Sequence, residues 1–360
     1  MDLRGAEDHA PAAYAHSSLA SGQLVGQILG LASVASPSSR VCQVEQQEGV
    51  QLDGGSQEQG TGASTALPQA LLELLSVKTG ETTTQESLEE KTQKETSYEI
   101  DLHNHSLLSN QTRESGSERE VARLASVGLP HAGDWLNVVP SPVLGLHLRG
   151  REFLSVTKYR LGINIYTRAG PCPACGHHND RLGDHAMCCG NNGERILRHN
   201  MLRDVIFSTA QSAALGPTKE GRFLLPGSDR RPADVLIPYL AGGRDAALDV
   251  TVINPLQTAT LADAAARPGS ALTVAFTRKI ASAEELCRRQ GLAFIPLAAE
   301  SLGGWHEVAV AEMKKLGAAL GRHTGQEESE ACSHLFQRVS VLLMKGNSNL
   351  FVNRMDECDL

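Results

Sequence analysis

Cys172, Cys175, His185 and Cys189 stand as Cys-x2-Cys followed by His-x3-Cys. Thiolates and imidazole are the ligands of tetrahedral Zn²⁺, and the Cys-x2-Cys spacing turns a chain back on one metal. Gly176 and Gly183, between the ligands, permit tight turns. Cys189 is the preferred fourth ligand, but spacing alone leaves the adjacent Cys188 open. Four protein ligands leave no position for water, so such a zinc would be structural.

The second group is acidic. Arg231-Pro-Ala-Asp234-Val-Leu-Ile237 is followed by Ala247-Leu-Asp249-Val-Thr-Val252. Asp249 interrupts an apolar run, where an unpaired carboxylate would be costly. A shared divalent cation would satisfy both Asp234 and Asp249. Mg²⁺ suits one or two carboxylates, with water and phosphate in the remaining positions. Asp234 and Asp249 are therefore both catalytic and Mg²⁺-binding candidates, and the expected chemistry is metal-assisted phosphodiester cleavage. A cation near the scissile phosphate would help, and Lys279 in Arg278-Lys279 is the nearest later candidate. Glu220 could bind the metal or face solvent. Arg198, His199 and Arg231 are candidates for nucleic-acid phosphate, although His199 could equally be a satisfied core histidine.

Elements must bring these groups together. Glu194–Leu215 reads as a helix with Ile196, Leu197, Leu202, Val205, Ile206 and Thr209 on one stripe. Residues 218–225, Ala233–Ile237 and Ala246–Ile253 read as strands, the last two joined by a Gly242-Gly243 turn. Residues 270–290 suit a helix stopping at Gly291, then a strand at Leu292–Leu297. Trp305–Leu320 and Glu327–Lys345 read as closing helices, and Glu152–Leu161 as a short helix leading to the cysteines. This order predicts an α/β fold with a mixed sheet flanked by helices.

The first 120 residues differ in kind. They carry 18 acidic against 7 basic residues, whereas the rest carries 23 against 26. The motif-bearing part is thus mildly basic, which keeps a nucleic-acid substrate open despite a net charge of −8. Ser, Gly, Gln, Thr and Glu dominate residues 36–65 and 80–96, which predicts weak order there. Short apolar patches at Leu24–Leu31 and Leu67–Val77 interrupt them. Aromatic residues make up only 4% of the chain, too few for base stacking to dominate a nucleic-acid contact. No apolar run reaches the roughly 18–20 residues of a membrane span, and no signal peptide opens the chain. Four of the eight cysteines cluster at 172–189, which favours metal binding over disulfides.

The succession Cys172-x2-Cys175, His185-x3-Cys189, Arg198-His199-Asn200, Arg231-Pro-Ala-Asp234 and Asp249-Val-Thr-Val252 resembles a module at the C-terminus of non-LTR retrotransposon polyproteins. These carry a restriction-enzyme-like endonuclease of the PD-(D/E)xK type. The resemblance covers roughly residues 120–355. It implies a restriction-endonuclease-like domain at 194–322, behind a CCHC zinc knuckle at 171–193 and a helical linker at 121–170. A C-terminal helix and tail would follow at 323–360, and the acidic residues 1–120 would form a mostly disordered extension with short helices. It implies a Mg²⁺-dependent nick in DNA, with Asp234 and Asp249 as the paired acids and Lys279 as a lysine relocated to the following helix. DNA would be the partner, with RNA as a second nucleic acid, a reverse transcriptase acting in trans, and a nuclear location. No Asp-Asp pair of a polymerase palm occurs in the chain. The rival reading is a nucleic-acid-binding protein that keeps this fold and has lost cleavage.

Overall fold

The computed structural model describes residues 12, 13, 15, 16, 67, 69–190, 193–220 and 233–355. The Leu24–Leu31 patch, Arg231 and most of the strand expected at 218–225 lie outside them. The chain divides into two compact units, at Asp2–Gln111 and from Thr112 onward.

The first unit holds helices α1 (Gln69–Thr79), α2 (Gln85–Glu90) and most of α3 (Gln93–Glu114). Helices α2 and α3 run through residues 80–96, where weak order was expected. The composition is polar, but local chemistry compensates. Thr84 caps α2 by accepting the Ser87 N–H while Ser87 Oγ accepts the Thr84 N–H. Sparse apolar residues then converge: Ala12, Ala15, Leu67, Leu75, Leu88 and Ile100 form one small core. Residues 1–120 were expected to form a mostly disordered extension with short helices. Of those described, Ala12 and Ala15 are fully buried, and the His16 ring bonds Thr96 Oγ1 at 2.8 Å.

The second unit opens with α4 (Glu118–Val127), a 3-10 turn at Asp134–Leu136 and α5 (Gly150–Leu161). A two-stranded hairpin follows, β1 (Gly170–Pro171) with β2 (His178–Asn179), then the one-turn helix α6 (Asp184–Cys188). Helix α7 (Glu194–Ser212) leads to β3 (Thr218–Lys219), β4 (Val235–Ala241) and β5 (Arg244–Ile253). Helices α8 (Leu261–Ala266) and α9 (Ser270–Arg289) precede β6 (Ala293–Glu300), and α10 (Glu307–Thr324) and α11 (Glu328–Val352) close the unit.

The sheet order is β3-β4-β5-β6, antiparallel except for the parallel β5–β6 pair. It is therefore a mixed sheet. A parallel pair needs a crossover, which α8 and α9 supply. Side-chain alternation along β5 sorts its residues between two layers. Leu248 and Val250 join the main core with Leu202, Val205 and Ile206 of α7, whereas Ala247 packs with Cys287 near the end of α9. The same alternation puts Asp249 and Thr251 on the Ala247 face.

Helix α11 runs to Val352, beyond the expected end at Lys345. Gly346-Asn-Ser-Asn reads as a helix stop, but tertiary packing overrides it. A Cβ on Gly346 would sit 2.5 Å from Arg198 Cγ, and the buried Asn347 amide donates to Ser301 O at 2.7 Å. In the same way β4 continues past Ile237, through an irregularity at Tyr239 with φ 56, to the Gly242-Gly243 turn. Among the described residues no helix is long and apolar enough to cross a membrane.

Glu300, at the end of β6, is fully buried, and neither carboxylate oxygen has a well-aligned hydrogen-bond partner, Ser126 being only a weak one. Burial pushes its pKa up to about 7, against a small opposing effect of Ser126. The folded state therefore holds this proton where the unfolded state has released it. Stability from Glu300 is complete below its unfolded pKa of 4.5 and is lost as pH rises toward 7. Glu300→Gln is expected to melt at a higher temperature than the wild type at pH 8. The gain, at most about 3 kcal/mol, should vanish near pH 4.5, and thermal melts at the two pH values measure it.

Candidate functional site

Two sites share one end of α7. The first is built by the hairpin and α6. Cys172 donates its N–H to His177 O (2.7 Å) and Gly176 donates to Cys172 O (2.8 Å), so the Cys-x2-Cys turn closes on itself. Gly183 opens α6 with φ 88, and a Cβ there would lie 2.8 Å from Ile165 and 2.9 Å from Phe351. Only glycine permits that approach without a shift. The Asp180 carboxylate accepts the N–H groups of Asp184 (3.2 Å) and His185 (2.7 Å), which orients α6. Arg119 of α4 grips Asp184 with two bonds of 2.6 and 3.0 Å.

The result is a cluster of Cys172, Cys175, His185 and Cys189 whose donor atoms all lie within 4.8 Å of one another. Cys175 Sγ is 3.3 Å from His185 Nε2. The edges of a tetrahedron around zinc are about 3.8 Å for sulfur pairs, so this set can hold a metal such as zinc. Burial alone would raise the Cys172 thiol, but N–H groups of Ala174 and Cys175 and the His185 ring outweigh it and bring the pKa down to about 6. A thiol already inclined to ionise suits a metal ligand. Cys188 is outside the cluster, and its sulfur accepts from Asn254 Nδ2 at 3.4 Å.

The second site is a cleft of about 350 Å³ lined by Gly190, Arg195, His199, Thr251 and Lys279, among others. Asp249 of β5 and Asp234, the residue before β4, are bonded to two of these lining residues, Lys279 and His199. Lys279 Nζ on α9 is 2.7 Å from Asp249 Oδ2. Asp234 Oδ1 is 3.0 Å from His199 Nε2, and its Oδ2 accepts the Val250 N–H at 2.7 Å. Burial raises Asp249 to about 6, with Asp234 adding to the rise and Lys279 and His199 opposing it. The bond to Asp234 raises the His199 pKa, against burial. The two carboxylates, the lysine and the histidine therefore act on one another as one charged group.

Asp234, Asp249, Lys279 and His199 are thus brought together from four elements. His199 is neither a core residue nor a free surface group, because its ring bonds the first aspartate. Three expectations are corrected. Arg198 is 4% exposed, with Nη1 bonded to Asn347 Oδ1 at 2.7 Å and to Met187 Sδ at 3.1 Å. It braces α7 on α11, and although it is among the residues lining the cleft, its Nη1 is committed to Asn347 and Met187. Glu220 turns its carboxylate to Arg203, while its N–H donates to Asp234 O at 2.9 Å. It shapes the approach to β4 and does not join the charged group. Ile196 and Leu197, assigned to the buried stripe, are 65% and 48% exposed.

Arg195 was missed. It is exposed, lines the cleft, and donates Nη1 to Cys188 O at 3.2 Å. Its place one turn before His199 was a usable signal, since residues three and four apart share a helix face. Thr251 was also legible, two residues from Asp249 on one strand face. No protein-family model matches the chain, and a search of curated proteins finds no match.

Proposed function

We propose that this chain is a metal-dependent DNA endonuclease of the PD-(D/E)xK type behind a zinc knuckle, similar to the endonuclease part of non-LTR retrotransposons. The observation that carries the reading is the charged group that Asp234, Asp249, His199 and Lys279 form, with Lys279 Nζ 2.7 Å from Asp249 and both Lys279 and His199 lining the cleft. The element order supports it too: a helix, three antiparallel strands, a crossover helix and a strand parallel to the third. In this reading zinc fills the Cys3His cluster and DNA enters the cleft. RNA, a reverse transcriptase in trans and a nuclear location belong to the same proposal.

Asp234 and Asp249 would hold Mg²⁺. Each carboxylate oxygen has a second lone pair beyond the bonds described, and burial holds the Asp249 pKa up at about 6 with Asp234 adding to the rise, so a bound cation would favour its charged form. When bound, the ion would polarise the scissile phosphate and acidify the attacking water. His199 and the Val250 N–H hold the Asp234 carboxylate in one orientation. Lys279 compensates Asp249 at rest and supplies charge to the phosphate oxygens as they become more negative. Arg195, at the cleft rim, is the cation that would guide the DNA backbone.

Nicking should rise with pH through about 6, as Asp249 loses its proton. Lys279→Ala removes an interaction that lowers that pKa, so it should move the acid limb upward. It should also slow nicking by roughly 2.7–4 kcal/mol at the plateau, the range for a single transition-state donor. The test of the function is conversion of supercoiled plasmid to open circles by the full chain with Mg²⁺, and none with EDTA. A chain that retards DNA in a gel but leaves the plasmid closed is the non-cleaving binding protein instead.

A further inference from the structure

The two acids of the charged group are recessed. The Asp249 side chain is 13% exposed and the Asp234 side chain 16%. The cleft lined by their partners Lys279 and His199 measures about 350 Å³. That is near the floor of the small-molecule range of roughly 300–1,000 Å³, room for a stretch of one strand and not for a duplex. DNA is stiff, with a persistence length of about 150 base pairs. A straight duplex laid on the rim therefore leaves its phosphates short of Asp249. The scissile strand has to be drawn inward, and the duplex has to bend where it enters.

The rim carries a side chain suited to hold such a bend. Arg195, Ile196 and His199 all line the cleft from the first turns of α7, since residues three and four apart share a helix face. Ile196 is largely exposed. Scattered exposed apolar side chains are ordinary, and Leu197, outside the cleft lining, is one of them. Ile196 differs by its place. Among the described residues it is the only exposed large apolar side chain lining the cleft. It stands between the exposed cation Arg195 and the His199 ring that bonds Asp234. No Phe, Tyr or Trp lines the cleft, so an unstacked base has no ring to rest on there. An aliphatic wedge is the device that remains. Apolar side chains such as Ile enter between base steps, partly unstack them and kink the duplex by about 20–90°.

We infer that Ile196 is a wedge that enters a base step beside the scissile phosphate, and that the cleft thereby selects duplex DNA at easily unstacked pyrimidine–purine steps. This deepens the reading of the cleft as an endonuclease site and rests on it. Arg195 holds the backbone on one side of the opened step, and the bend carries the scissile phosphate in toward Asp249 and Lys279. TA and CA/TG steps kink readily whereas A-tracts are stiff, so selection arises from deformability without a base-specific hydrogen bond.

The experiment uses zinc-loaded full chain, Ile196→Ser and Ile196→Leu. Because Ile196 is exposed, neither substitution removes a core contact. Nicks made with Mg²⁺ in a random-sequence duplex pool are mapped to the base step by sequencing the cut strands. The wild type and Ile196→Leu should favour TA and CA/TG steps over A-tracts by about 5–150-fold, the discrimination carried by one base pair of a specific site. Ile196→Ser should lose most of that preference. A mismatch placed at the step opens more readily, and it should restore nicking by Ile196→Ser, which it could not do for a misfolded variant. Without Mg²⁺, 2-aminopurine in a TA step should brighten when the wild type or Ile196→Leu binds, and stay dim with Ile196→Ser. Nicking without step preference, or a bound wild-type complex in which 2-aminopurine stays dim, overturns the wedge and leaves the endonuclease reading standing. Brightening without nicking upholds the wedge and makes the chain the non-cleaving binding protein. A wild type that neither retards nor nicks DNA overturns both.

Discussion

Asp249→Ala is expected to abolish plasmid nicking while leaving zinc content and the cooperative melt intact. Asp249 is one of two carboxylates at the cleft and the direct partner of Lys279. In the proposed reading its removal would take away a metal ligand, and it takes from Lys279 its carboxylate partner at 2.7 Å. An ammonium in that position would repel Mg²⁺, so two effects act in the same direction. Loss beyond about a thousandfold is expected, above the range for a single transition-state donor. Stability should change little or rise at neutral pH. The folded Asp249 pKa of about 6 lies above its unfolded value of 3.8, so ionising this buried group costs stability as pH rises toward 6. DNA retardation should persist, because phosphate contacts dominate affinity, and it should weaken with salt. Rates of open-circle formation, zinc by elemental analysis and gel retardation on one preparation check all of this.

Cys175→Ser should have an effect of comparable size by a different route. Cys175 reaches His185 at 3.3 Å and is one of the four side chains that could hold the metal. A hydroxyl is a poor substitute for a thiolate, and apparent zinc-binding energies in small metal domains are about 10–16 kcal/mol, much of it folding energy. The hairpin strands β1 and β2 have only two residues each and α6 only five, too short to persist without the metal. Zinc should fall from one per chain to none. Protease should then cut within 170–190, with the sheet still protected by its own core. Nicking should fall as well, because Arg195 of α7, at the cleft, is bonded to the Cys188 carbonyl beside Cys189. An unchanged zinc content in Cys175→Ser would disqualify Cys175 as a ligand.

The fold was legible where period and punctuation agreed. The β4–β5 hairpin follows from two apolar runs and Gly242-Gly243, and α9 from a long helical segment ending before Gly291. The cysteine–histidine cluster was legible because local spacing nearly determines its geometry, and the structure brings Cys189 rather than Cys188 into it. Lys279 was read as the nearest later cation and strengthened by the resemblance; its own context, a basic pair on a helix, says nothing of a partner thirty residues away in sequence, Asp249. Arg198 and Glu220 failed for one reason: a charged residue's role depends on whether its head meets solvent or a partner, and that is set by tertiary packing. Arg198 is buried because Gly346 makes room for it on α11. The order in α2 and α3 escaped notice because a few apolar residues, far apart in a polar sequence, supply that small core.

The central claim is that Asp234 and Asp249 bind a divalent ion at a DNA-bearing cleft. Electron paramagnetic resonance of free Mn²⁺, titrated into zinc-loaded full chain with a cleavage-resistant phosphorothioate duplex, measures this most directly. The wild type should retain Mn²⁺ at a site that Asp249→Ala lacks, with zinc content equal in the two proteins. Equal Mn²⁺ retention by both, or none by either, would contradict the claim.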